Sequence, residues 1–356
     1  MAHDPFDLIS LGEVMLRLDP GHSRIHTSRT FTAWEGGGEY NVARNLHQVY
    51  GHRTAVITAL VDNPIGRLIE NLICTGGVDC SLIDWVADDG VGARARNGLN
   101  FTERGFGVRG ARGASDRAHT AIAAMNKQVA DFDRLFTDHP AGWLHSGGIY
   151  AALSPTSGST LLAAVTAAKK HGMTVSFDQN FRPSLWAAYG DNDKLRKINR
   201  RVIDYVDVLI AGPRDFKQCL GIDLGVDDRA DPAVQFEAMT QAVTEYFPGV
   251  KVLARTVRHV HHAGENDWRA MAWSPDTGIT ESVRFDRLPI YDRVGGGDGF
   301  ATGLIAGLQE NMDLARAVNY GVATGALAMS TPGDWSMDRR SDVEALLAGH
   351  NADTAR

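Results

Sequence analysis

The stretch YDRVGGGDGFATGLIAGL, residues 291 to 308, puts three consecutive glycines and an aspartate in front of an apolar run. Phe300, Leu304, Ile305 and Leu308 recur at helical spacing, so the run reads as an amphipathic helix entered through a glycine turn. Glycine weakens a helix, but it adopts positive φ without strain and lets backbone N–H groups approach a ligand closely. Unpaired N–H groups and the positive end of the helix dipole make Gly295, Gly296 and Gly297 a candidate phosphate site. A carboxylate beside bound phosphate is repelled by it. Asp298 fits there if it accepts the proton of a hydroxyl attacking that phosphate, which is general-base catalysis. The alternative, on this stretch alone, is a structural turn with Asp298 as a helix cap.

Outward from this stretch, apolar and helical segments alternate. Strand-like DLISLG (7–12) precedes helix-like EYNVARNLHQVYG (39–51), whose Gly51 stands where a C-cap glycine would. RTAVITALV (53–61), WLHSGG (143–148), MTVSFD (173–178) and DVLIAG (207–212) read as further strands, with helices over 154–172 and near 191–204. A second C-terminal helix covers about 312–329. Repeated βα units imply a mostly parallel sheet covered by helices on both faces. Residues 91–123, rich in glycine and arginine, break the rhythm and read as a β flap at the edge of the core. No linker divides the chain, so one unit over about residues 1–350 is expected, with a lid from segments about 14–35 and 91–123.

With 356 residues, 44% hydrophobic and 22% charged, the chain can bury a large core. A formal charge of −7 and a pI near 6.0 argue against a nucleic-acid binder, which needs a basic face. Cys74, Cys80 and Cys219 lack CxxC spacing, so free buried thiols in a reducing compartment are expected. The opening MAHDPFDLIS has no basic n-region or apolar h-region, and no stretch approaches the roughly 18 apolar residues of a membrane span. A cytoplasmic protein without a membrane partner is expected.

The run Asp292-Arg293-Val294-Gly295-Gly296-Gly297-Asp298-Gly299-Phe300 resembles the C-terminal signature D-T-x-G-A-G-D-x-F of the ribokinase-like (PfkB) carbohydrate kinases, departing at Arg293 and Gly296. WEGGGEYNVARNL resembles that family's N-terminal G-G-x-x-x-N through Gly36, Gly37 and Asn41; alone it would read equally as a turn into a helix. The wording GEVMLRLDP, GGGEYNVA, DQNFRPSLW and DRVGGGD looks most like the 2-keto-3-deoxygluconate kinase branch, and the resemblance spans about residues 7 to 348. It implies a ribokinase-like three-layer α/β/α fold with a mostly parallel central sheet and a small β lid. It also implies ATP as phosphoryl donor, Mg2+, a monovalent cation as a further option, and a homodimer joined through flap strands.

The same resemblance distributes roles. Asp298 is the implied base and Gly295 to Gly297 hold the transferring phosphoryl group. Gly36, Gly37 and Asn41 touch sugar hydroxyls; Asn100 and Arg117 from the flap, and Arg182 of the segment Asp178-x-Asn180-x-Arg182, face the substrate. Arg17 stands where sugar-binding relatives often carry an aspartate, a charge reversal that suits an acidic sugar. Thr256 aligns with a T-x-G nucleotide loop whose glycine is Arg258 here, and Gly325 is implied at the nucleotide as well. The usual N-x-x-E after the strand at 207–212 becomes Gly212 with Asp215 as the acid, which implies a looser hold on magnesium.

Rival readings are weaker. GFGVRG (105–110) matches a dinucleotide fingerprint but follows no buried strand and opens no helix. No G-x-x-x-x-G-K-[ST] occurs. His259 and His261 of HVHH share a strand face without a third ligand, which suits an exposed hairpin better than a metal pair. Arg104, Arg109, Arg112 and Arg117 suit a solvated face or an anion contact equally. A fructokinase or ribokinase-type enzyme for a neutral sugar remains an alternative, as does a sugar-acid-binding or regulatory protein, motivated by Gly212.

Overall fold

A computed structural model describes residues 4–126 and 131–349. The expected ends of the unit, residues 1 and 350, lie outside them. Fourteen strands form two sheets among these residues: β1 (Leu8–Leu11), β2 (Met15–Asp19), β3 (Thr32–Gly36), β4 (Thr54–Asp62), β5 (Ile83–Ala87), β6 (Leu99–Glu103), β7 (Arg112–Asp116), β8 (Trp143–Gly147), β9 (Thr174–Asp178), β10 (Val208–Ile210), β11 (Val252–His262), β12 (Glu265–Ser274), β13 (Gly278–Glu281) and β14 (Phe285–Pro289). The larger sheet runs β13-β12-β11-β10-β9-β8-β1-β4-β5, with β14 also on β12. From β5 to β11 every pairing is parallel, whereas β12 pairs antiparallel with β11, β13 and β14. The sheet is thus mixed at one edge.

Alternation along the parallel strands feeds two cores. Leu8, Val56, Val208 and Val252 point into one apolar cluster, and their neighbours Ile9, Ile57, Leu209 and Leu253 into the other. Helices Gly38–Tyr50, Gly296–Gln309 and Leu314–Ala328 cover the first face, and Ser157–Lys170, Asn192–Ile203 and Pro232–Tyr246 the second. Because both faces are covered, strands such as TAVITALVD are buried along almost their whole length. Gly51 ends its helix at φ 74°, its N–H donating to the His47 carbonyl at 2.9 Å. The result is a three-layer α/β/α ribokinase-like fold.

The second sheet, β3-β2-β6-β7, is a small lid drawn from two separate segments of chain, residues 15–36 and 99–116. GFGVRG is the hairpin loop between β6 and β7, where Phe106 and Arg109 exchange backbone hydrogen bonds. HVHH ends β11 in an exposed hairpin, and His261 Nε2 lies 2.8 Å from Asp267. The cysteine expectation is corrected: Cys74 and Cys80, six residues apart at a helix end, are joined in a disulfide, while Cys219 is buried and free.

Candidate functional site

Parallel strands end on one side of the sheet, and ligands of open α/β sheets bind outside those carboxyl ends. A cleft of about 650 Å³ lies there, lined by Asp178 and Arg182 after β9, Gly212 and Asp215 after β10, Thr256 and Arg258 on β11, and the turn from Arg293 to Asp298. A depression of about 670 Å³ between helices Phe132–Asp138 and Ser157–Lys170 is on the outer helical layer and gathers none of the expected residues.

The turn is shaped by its neighbours. Gly295 caps the helix at φ 83°, a left-handed conformation, and a Cβ there would sit 2.3 Å from the Asp334 carbonyl oxygen. A Cβ on Gly296 would meet Met329 Sδ at 2.8 Å, whereas one on Gly297 would meet nothing within 4 Å. The open side of the turn faces the cleft. Asp298, in the first helical turn and half-buried, accepts a 2.6 Å hydrogen bond at Oδ2 from Asn41 Nδ2, across 257 residues of sequence. Asn41 Oδ1 in turn accepts from the Gly37 N–H at 3.2 Å. The N- and C-terminal glycine motifs therefore meet through Asn41. Burial raises the Asp298 carboxyl to about 6; Asn41 lowers it, Asp334 adds to the rise and Arg182 opposes it.

The other expected residues divide. Gly36 and Gly37 let the chain pass close to Asp334 Oδ2 and the Glu13 carbonyl; Gly38, which was not singled out as a site residue, borders Asp298 and Asn180. Arg182 is exposed in the cleft with Thr256 and Arg258. Arg117 Nε and Nη2 donate to Glu13 Oε2 at 2.9 and 2.5 Å, and Asn100 bonds Thr102 and Ser115 within the lid. Arg17 departs from expectation: it is 0% exposed, donates to Asp334 and, at 2.5 Å, to Asp292, and lies 3.6 Å from Asp19. Burial opposes its charge, but Asp334 and Asp292 outweigh burial and hold its pKa above the ordinary range. Its guanidinium is consumed by protein carboxylates and joins the lid to the glycine turn. Gly325 is buried where its helix crosses the helix of the glycine turn, and a Cβ there would meet the Gly296 carbonyl oxygen at 2.6 Å and the Trp268 ring at 3.0 Å.

Asp215 caps its own turn. Its Oδ2 accepts from the Gly212 N–H at 2.6 Å and its Oδ1 from the Phe181 N–H at 3.1 Å. Among the described residues no three His, Cys, Asp or Glu side chains converge as a metal cage. Magnesium needs none, since it keeps several waters and takes one or two carboxylates together with substrate phosphates. The free lone pairs of Asp215 and the Asp178 carboxyl in the cleft fit that mode. Glu39 escaped sequence reasoning: it is buried beside the site, its Oε2 has no hydrogen-bond partner, and burial raises it to about 7. Only an acid inside a helix packed on a strand end signalled it.

A three-layer fold with a glycine turn and a buried carboxyl at the strand ends, beside a small β lid, is that of a sugar kinase. The chain belongs to the pfkB family of carbohydrate kinases, whose profile matches residues 6–247 and 272–339. It is 29% identical over 348 residues to a 2-dehydro-3-deoxygalactonokinase of Haloferax volcanii, covering 97% of this chain and 98% of that one. It is 25% identical to a 2-dehydro-3-deoxygluconokinase of Bacillus subtilis over 92% of this chain and 91% of that one. The crystal structure of 2-dehydro-3-deoxygluconokinase from Thermotoga maritima superposes with a TM-score of 0.85 at 30% identity, over 96% of this chain and 99% of that one.

Proposed function

We propose that the protein transfers the γ-phosphoryl group of ATP to the terminal hydroxyl of an acidic deoxy sugar, 2-keto-3-deoxygluconate before its galactonate epimer. The observation that carries this reading is Asp298, held by Asn41 beside the open face of the Gly297 turn. Asp298 accepts the hydroxyl proton as that oxygen bonds to the γ-phosphorus; the bridging bond to the β-phosphate breaks in line, and ADP departs with the electron pair. N–H groups of the turn receive the charge that develops on the phosphoryl oxygens. Magnesium, held through Asp178 and Asp215 and the phosphates, would neutralise charge on the donor. Thr256 and Arg258 face the donor. Arg182 is one of the cleft arginines without an ion-pair partner among the described residues, and its charge acts on Asp298, so it is the cation placed to meet the sugar carboxylate.

This reading extends to a single kinase unit acting in the cytoplasm as a homodimer. Supporting it, no helix among the described residues is long and apolar enough to cross a membrane, and β7 is an exposed edge strand of the lid. One observation favours a neutral ketose instead: Arg17 and Arg117 are already neutralised by carboxylates. A coupled ATP-consumption assay over sugars and sugar acids separates the readings. The sugar acid should win over fructose, and Arg182→Ala should raise its KM by roughly 10- to 100-fold while leaving fructose little changed. Preference for fructose would establish the alternative, and absence of any sugar-dependent turnover would leave a binding protein.

A further inference from the structure

Five arginines line the cleft: Arg182, Arg214, Arg255, Arg258 and Arg293. Among the described residues none of them makes an ion pair. Arg214 lies over the Phe181 ring at 5.0 Å, and Arg255 reaches only Gln235, at 3.3 Å. Elsewhere arginines close to the site are paired: Arg17, Arg104 and Arg117 each sit against carboxylates. The cleft also holds the carboxyls of Asp178, Asp215 and Asp298, but five guanidiniums outnumber them, and at Arg258 burial first, then the like charge of Arg293, lowers the pKa. An anion in the cleft would relieve that repulsion.

Three departures from the family pattern meet in this one cavity. Gly212 removes an amide associated with the magnesium shell, while Arg258 and Arg293 add two cations in place of a glycine and a threonine. We propose that Arg258 and Arg293 bind the terminal phosphates of a linear triphosphate donor directly, supplying part of the charge a divalent cation would supply, so that donor binding persists without magnesium. The guanidinium fork matches phosphate oxygens bidentately, and a 650 Å³ cleft accommodates a triphosphate together with a sugar. The proposal rests on the kinase reading for the identity of the donor, though the anion site stands on the arginines themselves.

The test is calorimetric titration with inorganic tripolyphosphate and with ATP, in EDTA and in excess magnesium, at fixed ionic strength. Wild type should bind both without metal, and magnesium should change the affinity less than about tenfold. The double variant Arg258→Gly with Arg293→Thr should weaken metal-free binding by tenfold or more, and Arg258→Lys with Arg293→Lys should restore much of it. Both side chains are exposed, and circular dichroism checks that the variants fold. Metal-free binding that is absent in wild type, or equal in wild type and the glycine–threonine variant, overturns the proposal. Sugar-acid-dependent ATP turnover, measured alongside, separates the two inferences: turnover without arginine-dependent binding removes this one alone, and arginine-dependent binding without turnover removes the kinase reading alone.

Discussion

Arginines at the two sides of the site live in opposite surroundings. On the lid side, Arg17 is fully buried and shared among Asp292, Asp334 and Asp19; on the cleft side, Arg182, Arg258 and Arg293 are exposed and have no ion-pair partner among the described residues. The first arrangement is structural: removing one partner would strand buried charge. The second is incomplete, and incompleteness in a cleft is what a ligand corrects. An arginine's residue type says little about its role; its partners say much. Asp298 lies where the two regions meet: burial raises its carboxyl most and Asn41 lowers it, with Asp334 of the paired set adding to the rise and Arg182 of the unpaired one opposing it.

The comparison is broken most severely at Asp298. Asp298→Asn keeps the shape but is a poor proton acceptor, so turnover should fall by roughly 10² to 10⁴ while ATP binding survives. Steady-state kinetics with an equilibrium binding measurement decides it, and near wild-type turnover would remove Asp298 from the chemistry. On the paired side, Arg17→Met leaves Asp292 and Asp334 buried without their cation. It should cost about 3–5 kcal/mol of stability, seen as a lowered midpoint in urea; an unchanged midpoint would mean the pair is not structural. The smallest effect belongs to the unpaired side. Gly212→Asn restores a polar group near Asp215 and should lower the magnesium concentration for half-maximal turnover a few-fold. Superimposed titrations would show that position 212 does not touch metal use.

Much of this was readable from local pattern. Strand alternation, the helix behind the glycine turn and the order of the two glycine motifs follow from spacing of two and of 3.6 residues, which sequence carries directly. The hairpin at HVHH carries a local signal, but the pairing of β13 and β14 on β12 does not: GITE and FDRLP are short, partly exposed strands with weak periodicity. The positions of Gly297 and Asp298 at the start of their helix follow from nearby chain. Contacts made with distant chain carry no local pattern. Arg17 meets Asp334 from 317 residues away, and Gly325 meets Gly296 only because two helices cross. The Cys74–Cys80 pairing escaped because its spacing matches no disulfide framework pattern.

The most direct test of the account is the pH dependence of kcat/KM for the sugar acid, because Asp298 must be ionised in the free enzyme to accept a proton. Its carboxyl titrates at about 6 rather than in the ordinary range, chiefly through burial, so protonation below pH 6 should remove the base. The account expects kcat/KM to fall about tenfold per pH unit below a midpoint near 6, with that limb missing from the residual activity of Asp298→Asn. A profile flat from pH 5 to 8 in wild type, or the same limb in the variant, would contradict it.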